Sequence, residues 1–248
     1  MRLAFAVRLG QSSVMIDSAT ETTEKTALPH VAVWVFDLDN TLYPASCDLF
    51  AQIDRRMTAF IADFLGVADD QARALRKRYY RDHGTTLRGL MDNHDLDPGR
   101  FLDYVHDIDH GPVPPNPALA RALDRLDARK VVFTNASRAH AERVLQRLGI
   151  ADRFEAVFDI VAADYMPKPD LAPYRKLLER HAIDPRRAIF IDDLCRNLAP
   201  AAALGMTTLW VRGESAETWD DAPGDHVQHV TEDLVGWLEA VTEARETA

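Results

Sequence analysis

The run Val31-Ala32-Val33-Trp34-Val35-Phe36 ends abruptly in Asp37-Leu38-Asp39-Asn40-Thr41-Leu42-Tyr43-Pro44. A short apolar stretch rich in β-branched and aromatic residues reads as a buried strand. Two carboxylates at its carboxyl end are then aimed at the rim of a sheet, where open α/β folds place their ligands. Buried carboxylates without partners are costly, so the pair requires a cation, good hydrogen bonds or a raised pKa. A cation beside a nucleophilic carboxylate is what phosphoryl transfer through an aspartyl-phosphate needs.

The 248 residues suit one large domain, or a core domain with a second inserted into it. A hydrophobic fraction of 47% supports a sizeable core. Acidic residues outnumber basic ones, 39 to 29, and the formal net charge is -10. That balance argues against a binder of nucleic acid polymers or of anionic membranes, while leaving room for a local basic pocket. No apolar run approaches the roughly 20 residues that cross a bilayer. Cys47 and Cys195 lie far apart, form no ligand-spaced cluster and read as small buried residues, so a reducing cytoplasm is the expected setting. Residues 1–28 carry Arg2, Arg8 and a polar stretch from Ser18 to Lys25, and a disordered extension is expected there, with Met15 a candidate initiator. A targeting segment is the alternative, but its apolar part is short and interrupted by Arg8. The sequence leaves a monomer or a homodimer open.

Beyond the first strand the pattern turns helical. Leu49, Phe50, Ile53, Met57, Phe60, Ile61 and Phe64 recur at close to the helical period over 46–65. Further helices are expected at about 68–83, 85–93 and 98–108, the last opened by Asp97-Pro98 as N-cap and first-turn proline. The proline-rich stretch from Gly111 to Pro117 reads as a linker. After it come helices at 117–128, 137–148, 171–181 and 196–204, alternating with strands at 130–133, 156–161, 187–191 and 207–211. Residues 214–229 look irregular and 231–243 read as a closing helix. Such alternation predicts a parallel sheet covered on both faces. The first strand belongs to that sheet, which makes 46–112 an all-helical insertion and assigns 29–45 and 113–248 to the α/β core.

Three more segments of the α/β part carry candidate chemistry. Strand 130–133 runs into Thr134-Asn135-Ala136-Ser137 before a helix, where a hydroxyl and free N–H groups make a phosphate seat or a plain N-cap. Lys168, held between Pro167 and Pro169, could neutralise the acidic cluster and a transferring phosphoryl group, or be a solvated loop lysine. Strand 187–191 runs into Asp192-Asp193, which would complete an oxygen-rich Mg2+ site or provide an N-cap and a surface acid. Taken jointly, four strand ends of one sheet would supply nucleophile, phosphate seat, cation and metal ligands.

Asp37-Leu38-Asp39-Asn40-Thr41, Thr134-Asn135, Lys168-Pro169 and Asp192-Asp193 resemble the four ordered motifs of the haloacid dehalogenase (HAD) superfamily, across about residues 31–212. The resemblance implies a Rossmann-like core with a helical cap of the type called C1 inserted after the first motif. It also implies that Asp37 is the nucleophile, and that Asp39 is acid for the leaving oxygen and then base for water. Thr134 and the Asn135 backbone would hold phosphate oxygens, with Lys168 bridging phosphate and Asp37. Asp193 would bind Mg2+ with Asp37 and the backbone carbonyl of Asp39, and Asp192 would support the metal directly or through water. Asn197 stands where many relatives carry another acid, which puts an outer role for it in doubt. HAD dehalogenases lack the second Asp of the first motif, so Asp39 favours phosphate chemistry.

Tyr79-Tyr80-Arg81-Asp82-His83-Gly84-Thr85-Thr86-Leu87-Arg88-Gly89-Leu90-Met91 is similar to the cap segment of the pyrimidine 5′-nucleotidase group, and Asp39 to Pro44 extends the likeness. The substrate so implied is a small phosphorylated metabolite, a nucleoside monophosphate such as UMP or CMP. Arg88 could then bond a base carbonyl or ribose hydroxyl, and Tyr43 or His83 could stack on or border a base, while Gly84 and Gly89 would allow close approach. Structural roles compete: Tyr79 and Tyr80 as core aromatics, His83 as a helix-end histidine, and Arg88 paired with Asp82 or Asp92. Two other functions stay open, a HAD phosphatase for phosphoglycolate or a sugar phosphate, and a non-catalytic nucleotide-binding protein of the same fold.

Overall fold

The computed structural model describes residues 27–213 and 224–247. Most of the expected N-terminal extension, Met15 included, lies outside the described residues. Its last two residues do not behave as an extension: Leu28 is buried, and Arg245 donates hydrogen bonds to the carbonyls of Ala27, Leu28 and Val31.

One six-stranded sheet organises the molecule, in the order β3-β2-β1-β4-β5-β6. Its strands are β1 (Val33–Phe36), β2 (Arg129–Phe133), β3 (Ala156–Phe158), β4 (Ala188–Asp192), β5 (Thr207–Val211) and β6 (His229–Thr231). Every neighbouring pair runs parallel. Successive side chains of a strand point to opposite faces, and both faces here are covered. Trp34 and Phe36 therefore join one buried cluster, with Leu123, Val144 and Leu238, while Val33 and Val35 join another, with Tyr174 and Leu198. That is why β1 reads as a continuous apolar run and not as an alternation.

Among the described residues, five helices flank the sheet: α5 (Pro117–Asp124), α6 (Arg138–Leu148), α7 (Leu171–Arg180), α8 (Cys195–Ala203) and α9 (Leu234–Glu246). Four more lie between β1 and α5: α1 (Leu49–Leu65), α2 (Asp69–His83), α3 (Thr86–Asn93) and α4 (Pro98–Val105). These four share a buried cluster of their own, built on Phe60, Ile61, Tyr79, Leu90 and Phe101. Ile160 and Tyr165, from the loop after β3, also pack into it, so the four-helix unit rests on that loop. The side chains of Thr85 and Asp97 cap α3 and α4 by accepting from the backbone N–H groups of Arg88 and Gly99. No described helix is long and apolar enough to cross a membrane.

Differences from expectation fall at the ends of elements. The strand after α6 stops at Phe158 and the fourth helix at Val105, each shorter than the pattern suggested. The edge strand β6 went unanticipated because His229-Val230-Thr231 is short and only partly buried.

Register sets up the functional site. Phe36 lies opposite Val132 on one side and Ile191 on the other, so Asp37 stands level with Phe133 and Asp192. Strand order also reverses here, β2 and β3 lying to one side of β1 and β4 to β6 on the other. Sheets of this kind open a crevice at that switch point, outside the carboxyl ends of the strands.

Candidate active site

Asp37 leaves β1 with its backbone N–H bonded to the Ile191 carbonyl at 2.8 Å, which continues the pairing with β4 by one residue. Its Oδ2 accepts from the Thr41 hydroxyl at 3.0 Å, and its Oδ1 accepts from Lys168 Nζ at 2.6 Å. Lys168 Nζ also donates to Asp192 Oδ2 at 2.7 Å and to the Phe133 carbonyl at 3.1 Å. An ammonium has three protons, and all three are spent here. Lys168 is thus a buried cation shared by acids from two strands, not a solvated loop lysine.

Lys168 does not come from a strand end, contrary to expectation. It lies in the long loop between Phe158 of β3 and Leu171 of α7. Asn135 fixes that loop: its Oδ1 accepts from the Lys168 N–H at 2.8 Å and its Nδ2 donates to the Lys168 carbonyl at 3.2 Å. The Asn135 side chain therefore holds the lysine's backbone in place. The Thr134 hydroxyl is buried beside it and accepts from the Ala136 N–H at 3.0 Å.

Asp192 is fully buried, and its Oδ1 accepts from the Leu194 N–H and from Asn197 Nδ2, both at 2.9 Å. Asn197 therefore supports this acid directly. Asp193 is half-buried, with its backbone carbonyl accepting from Trp210 Nε1 at 2.9 Å. Among the described residues, Asp37, Asp192 and Asp193 form a metal-competent group, their carboxylate oxygens within 4.8 Å of one another. Three hard oxygen donors at that spacing fit Mg2+ or a similar ion. The Asp39 side chain is not a member.

The electrostatics agree with that fit. Burial, with the charges of Asp192 and Asp39, pushes the Asp37 carboxyl up to about 7 against the opposing pull of Lys168. Burial, with the charges of Asp192 and Asp37, raises Asp193 well above the usual carboxylate range. One lysine is too little positive charge for this cluster, and a divalent ion would supply the rest. Lys168 itself is lifted above its ordinary value, because Asp192 and Asp37 outweigh the burial that would lower it.

Asp39 sits apart from this group. Its Oδ1 accepts from the Tyr43 hydroxyl at 2.5 Å and from His140 Nε2 at 2.8 Å. Burial alone would raise its carboxyl, but His140 and the Tyr43 hydroxyl more than compensate, and it lies below the usual value. Tyr43 is itself buried, at 3% exposure, within the larger core cluster. A ring so enclosed cannot stack on a base, so its expected place beside the substrate is corrected: it is a partner of Asp39.

On the helical unit, Arg88 and His83 converge on Asp92. Arg88 donates from Nε to Asp92 Oδ2 at 3.1 Å, and His83 Nδ1 lies 2.9 Å from the same oxygen. Arg88 Nη1 also reaches Met166 Sδ at 3.3 Å, two residues before Lys168. A Cβ placed on Gly84 would stand 3.4 Å from Pro167 Cγ, so the start of α3 overlies the loop that delivers the lysine. Gly89 serves packing and not ligand approach, since a Cβ there would come within 2.3 Å of Tyr79 Cβ. Tyr80 bridges to the core through the Arg196 guanidinium, which donates to its hydroxyl and lies 4.9 Å from its ring centre.

A model of the haloacid dehalogenase-like hydrolases matches residues 31–205, well over half of the chain. The chain belongs to that family. The chain is 30% identical over 196 residues to phosphate metabolism protein 8 of Saccharomyces cerevisiae, a match covering 72% of the chain and 60% of the relative. It therefore spans less than two thirds of the yeast protein's length. It is also 30% identical over 187 residues to N-acetylmuramic acid 6-phosphate phosphatase of Pseudomonas aeruginosa, covering 72% and 80% respectively. In fold it is similar to a HAD phosphatase from Thermococcus onnurineus, with a TM-score of 0.55 at 17% identity, covering 86% of the chain and 96% of that structure.

The histidines around Asp39 escaped the sequence reading. His140 lies on the buried stripe of α6 with Ala141, Val144, Leu145 and Leu148. A titratable side chain on an apolar helix face was the available signal. His106 and His110 reach it from the segment between α4 and α5, and no helical or strand period links those positions.

Proposed function

We propose that this hydrolase is a phosphomonoesterase working through an aspartyl-phosphate on Asp37. The observation that carries the reading is the buried Lys168 ammonium held between Asp37 and Asp192 at 2.6 and 2.7 Å, with Asp193 completing a cation-binding group. An anionic nucleophile approaches an anionic phosphate only where positive charge is already arranged.

In this reading an Asp37 oxygen attacks phosphorus in line, forming the acyl phosphate as the bond to the ester oxygen breaks. Asp39, held ionised in the free protein by His140 and Tyr43, would first take up a proton from solvent and then pass it to the departing alkoxide. It then takes a proton from water, which attacks the phosphorus of the aspartyl-phosphate and frees Asp37. Lys168 neutralises phosphoryl oxygens, while the Thr134 hydroxyl and the Asn135 backbone bound their seat. Asp37, Asp193, the Asp39 carbonyl and, directly or through water, Asp192 would hold Mg2+, which supplies charge neutralisation and alignment of the phosphate.

The four helices between β1 and α5 act as a C1-type cap that chooses the substrate. A pyrimidine nucleoside monophosphate remains the first candidate, on the likeness of segment 79–91. Support comes from Arg88, whose guanidinium borders the Lys168 loop, with Asp92 and His83 holding it in place. A sugar phosphate is the second reading, favoured by the Pseudomonas relative. The buried thiols Cys47 and Cys195 are compatible with a reducing, cytoplasmic setting.

The test is a screen of UMP, CMP, sugar phosphates and phosphoglycolate with Mg2+ and with chelator, alongside Asp37→Asn. Metal-dependent release of phosphate, strongest from UMP or CMP and absent from the variant, is expected. Tight nucleotide binding with no phosphate released would replace catalysis by sensing.

A further inference from the structure

The hydrogen-bonding atoms of the Asp39 carboxylate divide into an anchored oxygen and a free one. Oδ1 takes both bonds, from Tyr43 and from His140, and Oδ2 accepts none among the described residues. The Asp39 side chain retains 12% exposure, whereas the His140 side chain is fully enclosed. The oxygen that can meet a ligand is therefore set by whatever fixes the other one.

The His140 ring is itself immobilised. Its Nδ1 lies 3.1 Å from His110 Nε2, and the His106 ring stacks on it with centres 4.8 Å apart and planes 28° from parallel. Ser137, the N-cap of α6, binds both groups: its hydroxyl oxygen accepts from the His140 backbone N–H and lies 2.9 Å from His106 Nδ1. Two of these partners belong to the segment returning from the four-helix unit, so the seating of that segment and the aim of Asp39 share one ring.

We propose that His140 is a positioning residue for Asp39, holding Oδ1 so that Oδ2 faces the departing ester oxygen, with His106 and His110 holding His140 in turn. The proposal rests on the phosphomonoesterase reading for its kinetic consequence, but not for its structural one. A carboxylate tethered at one oxygen by two donors has its terminal torsion fixed. Removing the buried donor leaves Tyr43 alone, and a single bond permits rotation.

Leaving groups separate positioning from mere stability. A p-nitrophenolate departs without a proton, whereas an alkoxide needs one, so a misaimed acid harms alkyl esters selectively. The readout is kcat/KM, which reports the step expelling the leaving group. His140→Ala is expected to lower kcat/KM by about 10²-fold on an alkyl phosphate such as glycerol phosphate, and by less than about 5-fold on p-nitrophenyl phosphate. His140→Gln, whose amide N–H reaches nearly where Nε2–H did, should recover part of the loss. An equal fall on both esters, or none on either, overturns the proposal. A crystal structure of His140→Ala decides independently of turnover: a rotated Asp39 carboxylate supports positioning, and an unmoved one refutes it. Should the wild-type protein hydrolyse no phosphate ester, the functional reading fails while the crystallographic result still judges the role of His140.

Discussion

Lys168 Nζ donates to Asp37 Oδ1 at 2.6 Å in a site where both side chains are almost closed to solvent. The pair is one arm of a three-way contact that includes Asp192 and the Phe133 carbonyl. Deleting the cation leaves two facing carboxylates with no counter-charge. Lys168→Met is therefore expected to destabilise the metal-free protein by about 3–5 kcal/mol, the usual cost of breaking a buried pair from one side. Urea unfolding without metal measures it, and part of the loss should return with Mg2+. A change below about 1 kcal/mol would mean the contact is not the counter-charge it resembles.

Asp193 responds in the opposite direction. Burial and the neighbouring acids raise its carboxyl well above the usual range, so its ionised form opposes folding at neutral pH. A raised carboxyl contributes stability only below its unfolded value, and that contribution is lost as pH rises. Asp193→Asn should thus raise the melting temperature of the metal-free protein at pH 7.5, by about 2–4 °C per kcal/mol relieved. It should also abolish the stabilisation that Mg2+ gives the wild type. Calorimetry with Mg2+ and with chelator reads both effects.

His106 makes stability depend on pH. Burial, then His140 and His110, hold its imidazole down to about 3 from an ordinary 6.5. Between those values the unfolded chain binds a proton that the folded one refuses, so stability falls as the medium is acidified below about 6.5, by at most about 1.4 kcal/mol per pH unit. His106→Asn removes that proton and should flatten the dependence between pH 7 and 5. Urea midpoints across that range decide it, and an unchanged slope would contradict the assignment.

Arg88 is the test of substrate choice. Its guanidinium is held by Asp92 and borders Met166, close to the loop that carries Lys168. Arg88→Ala should lower kcat/KM for UMP by about 10–10²-fold and leave p-nitrophenyl phosphate within about 3-fold, since the latter has no base or ribose to bind. A parallel loss on both would make Arg88 a structural residue of α3.

How much of this was legible in the sequence depends on the range of the interaction. β1 and its two carboxylates were readable because a strand buried on both faces is continuously apolar and its end is marked by charge. The register of Phe36 between Val132 and Ile191 then brought the motifs together, as four ordered segments implied. Tyr43 misled because an aromatic beside a motif looks like a ligand contact, whereas the chain turns it back onto Asp39 four residues earlier. Lys168 was expected at a strand end and lies instead in a long loop fixed by Asn135, which has no periodicity to read. His140 left one local signal, a titratable side chain on the apolar face of α6, but its contacts were out of reach. Its partners His106 and His110 come from another segment, and no local pattern announces a contact between buried rings.

The central claim is that Asp37 carries the phosphoryl group during turnover. Rapid acid quench of the enzyme with its best phosphate ester, followed by peptide mass spectrometry, measures this directly. The expected result is one phosphoryl adduct on the peptide containing Asp37, removed by hydroxylamine and absent from Asp37→Asn, with turnover in that variant down at least roughly 10³-fold. Phosphate release that survives Asp37→Asn would contradict the account.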